Sequence, residues 1–183
     1  MPFPVYHMGV NGFFGLGFRK WVDPAVIVLA NIVVDLEVLF APGWPHSHRY
    51  WHFHTFLVGG FVGALFGLVC WLFKGLFNRS MRLIRIPYEA RLWKMVFAGV
   101  LGIWLHVIID GFYHWDVQPF WPYKKNVLRQ LSHGIRQDVW QDRIEVICLV
   151  FTVAAILLYV RAVIVFNRKK AKTAPSGDNS THN

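Results

Sequence analysis

Acidic and imidazole side chains of this chain concentrate near the ends of its apolar stretches. They fall at three of these ends: Asp35 and Glu37, then His48, His52 and His54, then His106 and Asp110. Ionisable groups are costly inside a bilayer, and those that occur there are usually functional and paired. Imidazole nitrogens mixed with carboxylate oxygens are a ligand set that suits zinc, manganese or iron. The residue types therefore predict a divalent metal site, with zinc as the expected ion.

The spacing of these residues favours convergence of their side chains. His106 and Asp110 are four residues apart, so they project from the same face of a helix. Asn31 and Asp35 have the same separation, whereas Glu37 stands two residues after Asp35 and points elsewhere. Each residue alone has a simpler explanation, since a lone histidine can hydrogen-bond a neighbouring helix. The metal site is predicted from the combination of three segments that deliver acids and imidazoles to one membrane face.

The composition is that of an integral membrane protein. Hydrophobic residues make up 55% of the 183 residues and charged residues 16%, against about a quarter charged in a typical soluble domain. Apolar runs occupy residues 24–41, 56–73, 96–112 and 144–160, and a further run at 5–18 would reach only about 21 Å as a helix. We therefore expect an all-α bundle of four to five transmembrane helices over residues 1–167. A basic, then polar and disordered cytoplasmic tail should follow over 168–183.

The distribution of charge predicts which end of the bundle faces the cytoplasm. The net charge is +9, and its basic residues gather at positions 74–94 and from Arg161 onward. Clusters of this kind mark cytoplasmic segments, so the histidine-rich ends should lie on the other face. The expected partner is the lipid bilayer and not a nucleic acid, because the basic residues lie between apolar runs and in the tail.

A further helix is expected on the membrane surface after the third of the four long apolar runs. Apolar residues repeat there at helical spacing, with polar residues between them: Leu128, Leu131, Ile135 and Val139. This pattern predicts an amphipathic interfacial helix.

The order of the motifs resembles the predicted membrane-bound metal-dependent hydrolases. That family includes a LexA-regulated bacterial inner-membrane protein and is thought to be distantly similar to zinc-dependent phospholipase C. The likeness covers residues from about His7 to Pro122 and rests on VVDLE, HRYWHFHT, HVIID and a Trp-Pro pair. It implies an all-helical fold, a bacterial inner-membrane location, and a lipid or phosphodiester substrate.

The resemblance also implies a role for individual residues. The implied metal ligands match the family's motif positions: His7, Asp35, His54, His106 and Asp110. Glu37 stands where the family has a second Asp, and Val34 replaces the Pro before Asp35. HRYWHFHT is one residue longer than the family's segment, so either His48 or Arg49 occupies the first His position.

The leading functional hypothesis is a metal-dependent hydrolase. Glu37 or His52 would be the general base, because each is a proton acceptor outside the ligand set. Arg49 would steady an anionic group of the substrate. The alternative is a membrane protein that binds metal or haem for sensing, transport or structure without catalysis, although haem would leave Asp35 and Asp110 unexplained.

Reporter fusions test the topology that these charges predict. Fusions within residues 74–94 and at the tail should report a cytoplasmic location, because both segments carry clusters of Lys and Arg. A fusion at residue 116 should report the opposite side and serves as the internal control. A periplasmic readout from either basic segment would contradict the orientation.

Overall fold

The computed structural model describes residues 4–40, 48 and 51–173, and these residues are helical throughout, without a strand. The helices follow in chain order: α1 (Pro4–Gly17), α2 (Pro24–Phe40), α3 (Phe56–Leu72), α4 (Lys74–Leu83), α5 (Leu92–Tyr113), α6 (Val127–Gln130) and α7 (Gln137–Thr173). The predicted all-α class is confirmed.

Two helices of the described chain are long and apolar enough to cross a membrane. They are α5 and the stretch of α7 from Gln137 to Arg168. Helices α3 and α4 meet at a bend of 80° and together would make a third span. Large apolar side chains on the outer faces of α3 and α7 are exposed, including Phe61, Leu72, Val150 and Leu157. Such surfaces are compatible with contact to lipid, while the full count of four to five spans stays a prediction.

Helix α5 lies at the centre of the bundle. It packs against α3 and α2 most extensively, and it also touches α1 and α7, while α7 lies mainly along α1. Helices α2 and α5 end at the same end of the bundle at which α1 and α3 begin. This arrangement brings the polar residues near four helix ends into one place.

Close contact between α3 and α5 depends on facing glycines. A Cβ atom on Gly99 would lie 2.0 Å from the carbonyl oxygen of Gly63, and one on Gly63 would lie 2.5 Å from the carbonyl oxygen of Gly99. Without side chains the two backbones touch directly, as small residues allow in membrane helix pairs. His54, just before α3, is thereby held close to His106 on α5.

Polar side chains fix α1 and α2 against the central helix. The amide of Asn11 donates hydrogen bonds to the carbonyl oxygens of Ile27 and Gly102, at 2.9 and 3.1 Å, and so joins three helices. Asp23 caps α2 by accepting from the backbone N–H groups of Ala25 and Val26. These bonds set the depth of α1 and α2 relative to α5.

Two expectations for the C-terminal half are corrected by the structure. The single amphipathic helix predicted over 128–139 is replaced by the short α6, a turn, and the first residues of α7. Gly134 has φ = +83°, a left-handed conformation that interrupts any continuous helix there. Helix α7 continues to Thr173, so the tail predicted from residue 168 begins as helix, and residues 174–183 lie outside the described part of the chain.

A pair of matched substitutions tests the α3–α5 contact. Gly99→Ala should destabilise the protein by about 1–3 kcal/mol, because the new methyl group meets the backbone of α3. Gly75→Ala on α4 should be neutral or slightly stabilising, because nothing lies within 4 Å of the added atom. Thermal unfolding in detergent measures both. Equal melting temperatures for the two variants would contradict the close packing.

Candidate metal centre

Four side chains from three segments form a compact cluster at the end of the bundle. Each offers one potential ligand atom, and these atoms all lie within 4.8 Å of one another: Asp35 from α2, His54 from the turn before α3, and His106 and Asp110 from α5. We call these residues the first group. Such a group could hold a metal ion, since ligand atoms around a zinc ion lie about 2.0–2.2 Å from it.

The shortest distances in the first group converge on His106. Its Nε2 atom lies 3.1 Å from Asp110 Oδ2 and 3.2 Å from Asp35 Oδ1. Nε2 of His54 lies 3.5 Å from Asp110 Oδ2 and 3.9 Å from Asp35 Oδ1. Both imidazoles therefore direct the same ring nitrogen at the same two carboxylates.

Polar side chains behind the two imidazoles fix their orientation. Nδ1 of His54 lies 2.8 Å from Glu37 Oε2, and Nδ1 of His106 lies 3.1 Å from Asn31 Oδ1. When these Nδ1 atoms donate their protons to the oxygens, the Nε2 lone pairs are left for a ligand. A histidine held from behind by a carboxylate or amide oxygen is the usual arrangement around a protein-bound metal.

One buried atom of the first group lacks a hydrogen bond. His54 is fully buried, yet within the described chain its Nε2 has no hydrogen-bond partner. Leaving such an atom unpaired is costly, so a ligand at this point would repay its burial. Asp35 is the accessible member, with 30% of its side chain exposed. A metal ion here would therefore have an open side from which water or substrate could approach.

His7 adjoins the first group from α1. Its Nε2 atom lies 3.0 Å from Asp110 Oδ1, the carboxylate oxygen that His106 does not touch. Its ring also stacks on His106, with ring centroids 4.2 Å apart. His7 is thus placed where it can ligate or hydrogen-bond Asp110, and its predicted role as a ligand stays a prediction.

A second group lies beside the first. It consists of His48, His114 and Asp116, whose potential ligand atoms also lie within 4.8 Å of one another. Asp116 Oδ2 accepts hydrogen bonds from the backbone N–H of His48, at 3.2 Å, and from its Nδ1, at 2.9 Å. The segment that carries His114 is fixed by Asn126, whose amide donates to the carbonyl oxygens of Gly111 and His114.

The ionisation of the groups outside the helices suits ligand chemistry. Burial lowers the pKa of His54, and it lowers the pKa of His114 to about 4. Both imidazoles are therefore neutral near pH 7, the form that binds a metal. Burial opposes ionisation of Asp116, but the hydrogen bond and charge of His48 outweigh it and bring the pKa of Asp116 to about 2.

The structure places the three predicted catalytic residues differently. Glu37 is fully buried behind His54, and its oxygens accept from the backbone N–H of Trp51 as well as from His54. These contacts favour a positioning role for Glu37 over that of a general base. His52 belongs to neither group, and its ring stacks on Trp121 at 4.7 Å. Arg49 lies outside the described residues.

Three contributors to the site have roles that the sequence analysis did not assign: Asn31, His114 and Asp116. Asn31 shares a helix face with Asp35, which is the pattern that could have marked it as the partner of His106. His114 continues the four-residue repeat of His106 and Asp110. Asp116 carries no comparable pattern, because its position depends on the loop that follows α5.

No protein-family model, curated protein or solved structure matches this chain. Functional inference therefore rests on the geometry of the two groups and on the residue pattern.

Substitution of Glu37 tests whether the support of His54 matters. Glu37→Gln keeps the volume but removes the charge that holds the His54 Nδ1 proton, so affinity for Zn²⁺ should fall by about 10–100-fold. Competition with a chromophoric chelator measures the affinity. Glu89→Gln, an identical change at an exposed carboxylate, should leave it unchanged. Equal affinity in the two variants would contradict the positioning role.

Proposed function

We propose that this chain is a membrane-bound metal-dependent hydrolase whose centre lies at the extracytoplasmic face. The observation that carries the proposal is the pair of imidazoles that direct Nε2 at two shared carboxylates, each held from behind by Asn31 or Glu37. The expected ion is zinc, and manganese or iron would suit the same ligands.

The ligand set favours a hard or borderline divalent ion. Two carboxylates and two imidazoles neutralise such an ion without a thiolate, and the cysteines at positions 70 and 148 are buried within α3 and α7. Haem is less suitable, because both carboxylates share the space that the imidazole nitrogens face.

A divalent ion in this group supplies Lewis acidity, which lowers the pKa of water and polarises a phosphoryl or carbonyl oxygen. The residues of the chain provide the rest. Asp35, at the accessible side, is the member past which a substrate reaches the group. Asn31 and Glu37 hold the imidazoles so that little reorganisation is needed when charge develops.

The position of the group at an end of the bundle supports a substrate that comes from the membrane surface. Exposed apolar side chains surround the helices, and the polar groups lie at one end of α2 and α5 and not at their middle. A transporter would hold such groups near the midplane, between broken helices. A phospholipid or another phosphodiester is the proposed substrate class, and it draws on the family resemblance.

A purely structural network of ion pairs is the competing function. Imidazolium–carboxylate pairs of about 3 Å, such as His7 with Asp110, would serve that role without a metal. This alternative leaves His54 Nε2 unexplained, because no described atom is in position to form a hydrogen bond with it. Elemental analysis of the detergent-purified protein separates the two functions.

Asp110→Asn tests the enzyme hypothesis directly. The amide keeps the volume of the side chain but loses the charge that binds the metal, so hydrolysis should fall by at least about a hundredfold. Turnover of a phospholipid mixture and of a generic phosphodiester would be measured alongside bound metal and thermal stability.

Asp138→Asn is the matched control, because Asp138 is an exposed carboxylate that pairs with Arg136. It should retain metal and activity. A structural network would behave in the opposite way: Asp110→Asn would change stability, while neither form bound metal. An Asp110→Asn protein as metal-loaded and as active as the wild type would refute the proposed function at this site.

A further inference from the structure

The carboxylate of Asp110 faces both groups. Its Oδ2 atom lies 3.1 Å from His106 Nε2 and 3.5 Å from His54 Nε2, inside the first group. Its Oδ1 atom lies 3.0 Å from His7 Nε2 and 3.9 Å from His114 Nε2. The two oxygens of one carboxylate are thus divided between neighbouring sets of imidazoles.

The second group repeats the construction of the first. Nδ1 of His48 is held by Asp116 Oδ2, just as Nδ1 of His54 is held by Glu37. Nε2 of His48 lies 3.9 Å from Asp110 Oδ2, so the ring directs its other nitrogen at the shared carboxylate. The rings of His48 and His114 lie side by side, with centroids 4.6 Å apart. Imidazoles from two separate segments therefore approach Asp110 from the side opposite His106.

A buried polar atom points to a ligand independently of these contacts. His7 is 3% exposed, and within the described chain its Nδ1 has no hydrogen-bond partner, although its Nε2 contacts Asp110 Oδ1. The side of Asp110 that faces away from the first group therefore also carries an unsatisfied imidazole. Only one divalent ion in the first group would leave this side without a cation.

We propose that Asp110 bridges two metal ions, the first held by Asp35, His54 and His106 and the second by His48, His114 and Asp116. The inference rests on the proposed metal-dependent function and deepens it. His114 and Asp116 lie outside the motifs that carry the family resemblance, so the second site follows from the geometry of this chain alone.

Charge balance supports two ions over one. Four carboxylates occupy this end of the described bundle: Asp35, Glu37, Asp110 and Asp116. Two divalent ions carry the positive charge that balances all four, whereas one balances only half. Buried carboxylates without such compensation are costly.

Two ions on one bridging carboxylate would also narrow the substrate class. Metal ions about 3.5–4 Å apart can hold both the attacking and the leaving oxygen of a displacement at phosphorus. The second group is partly open, with His114 and Asp116 exposing 17% and 15% of their side chains. A phosphate ester could therefore reach both ions from the membrane surface.

Metal counting and electron paramagnetic resonance test this inference. The full-length protein, stripped by a chelator and reloaded with Mn²⁺, should bind two ions per chain and give an exchange-coupled spectrum. His114→Ala should bind one ion and give the six-line spectrum of an isolated Mn²⁺. His114→Gln provides a second variant of similar size, and His133→Ala, at an exposed histidine outside both groups, should keep two coupled ions.

The outcomes separate the inference from the proposed function. One ion in the wild type, kept in His114→Ala and lost in His106→Ala, would overturn the second site and leave the first intact. No ion in the wild type would overturn both. The coupled spectrum of the wild-type protein decides the question even if a variant fails to fold, because it needs two neighbouring ions.

Discussion

The buried carboxylate of Asp110 is the constraint on which the rest of this structure depends. Only 4% of its side chain is exposed, and five imidazoles lie within 4 Å of its oxygens: His7, His48, His54, His106 and His114. A carboxylate taken out of water needs charge compensation and hydrogen bonds nearby. Each of the segments that meet at this end of the bundle contributes a group that supplies one or the other. The helices are therefore arranged around a charge as much as around an apolar core.

The apolar contacts of the bundle bring these groups within reach. Direct backbone contact between Gly63 and Gly99 sets the distance of α3 from α5, and Asn11 joins α1 to α2 and α5. A shift of 1 Å in either contact would separate His54 or His7 from Asp110, because their present distances leave little slack. Membrane helices gain little from burial of apolar surface against one another, so such close packing is a main source of their association.

The sequence was informative where a short-range rule applied. Helical spacing predicted that His106 and Asp110 project together, and the order of apolar runs predicted that Asp35 and His54 lie at the same end, where the structure places them. The all-α class followed from the same runs. The interfacial helix over 128–139 was wrong as a single element, because apolar periodicity does not reveal that Gly134 takes a left-handed conformation. The second group escaped prediction because His48 and Asp116 meet only through loops.

The hydrogen bonds behind the imidazoles distinguish a metal centre from a network of ion pairs. In an ion-pair network each imidazole would use both ring nitrogens as donors, and each would face an acceptor. His106 satisfies both nitrogens in this way, but His54 does not, since its Nδ1 faces Glu37 while its Nε2 is unpartnered within the described chain. Burial also lowers the pKa of His54, which favours the neutral ring over the imidazolium that an ion pair requires. A neutral imidazole with its free lone pair directed at two carboxylates lacks only a cation, and a divalent ion at that point would satisfy all three groups at once.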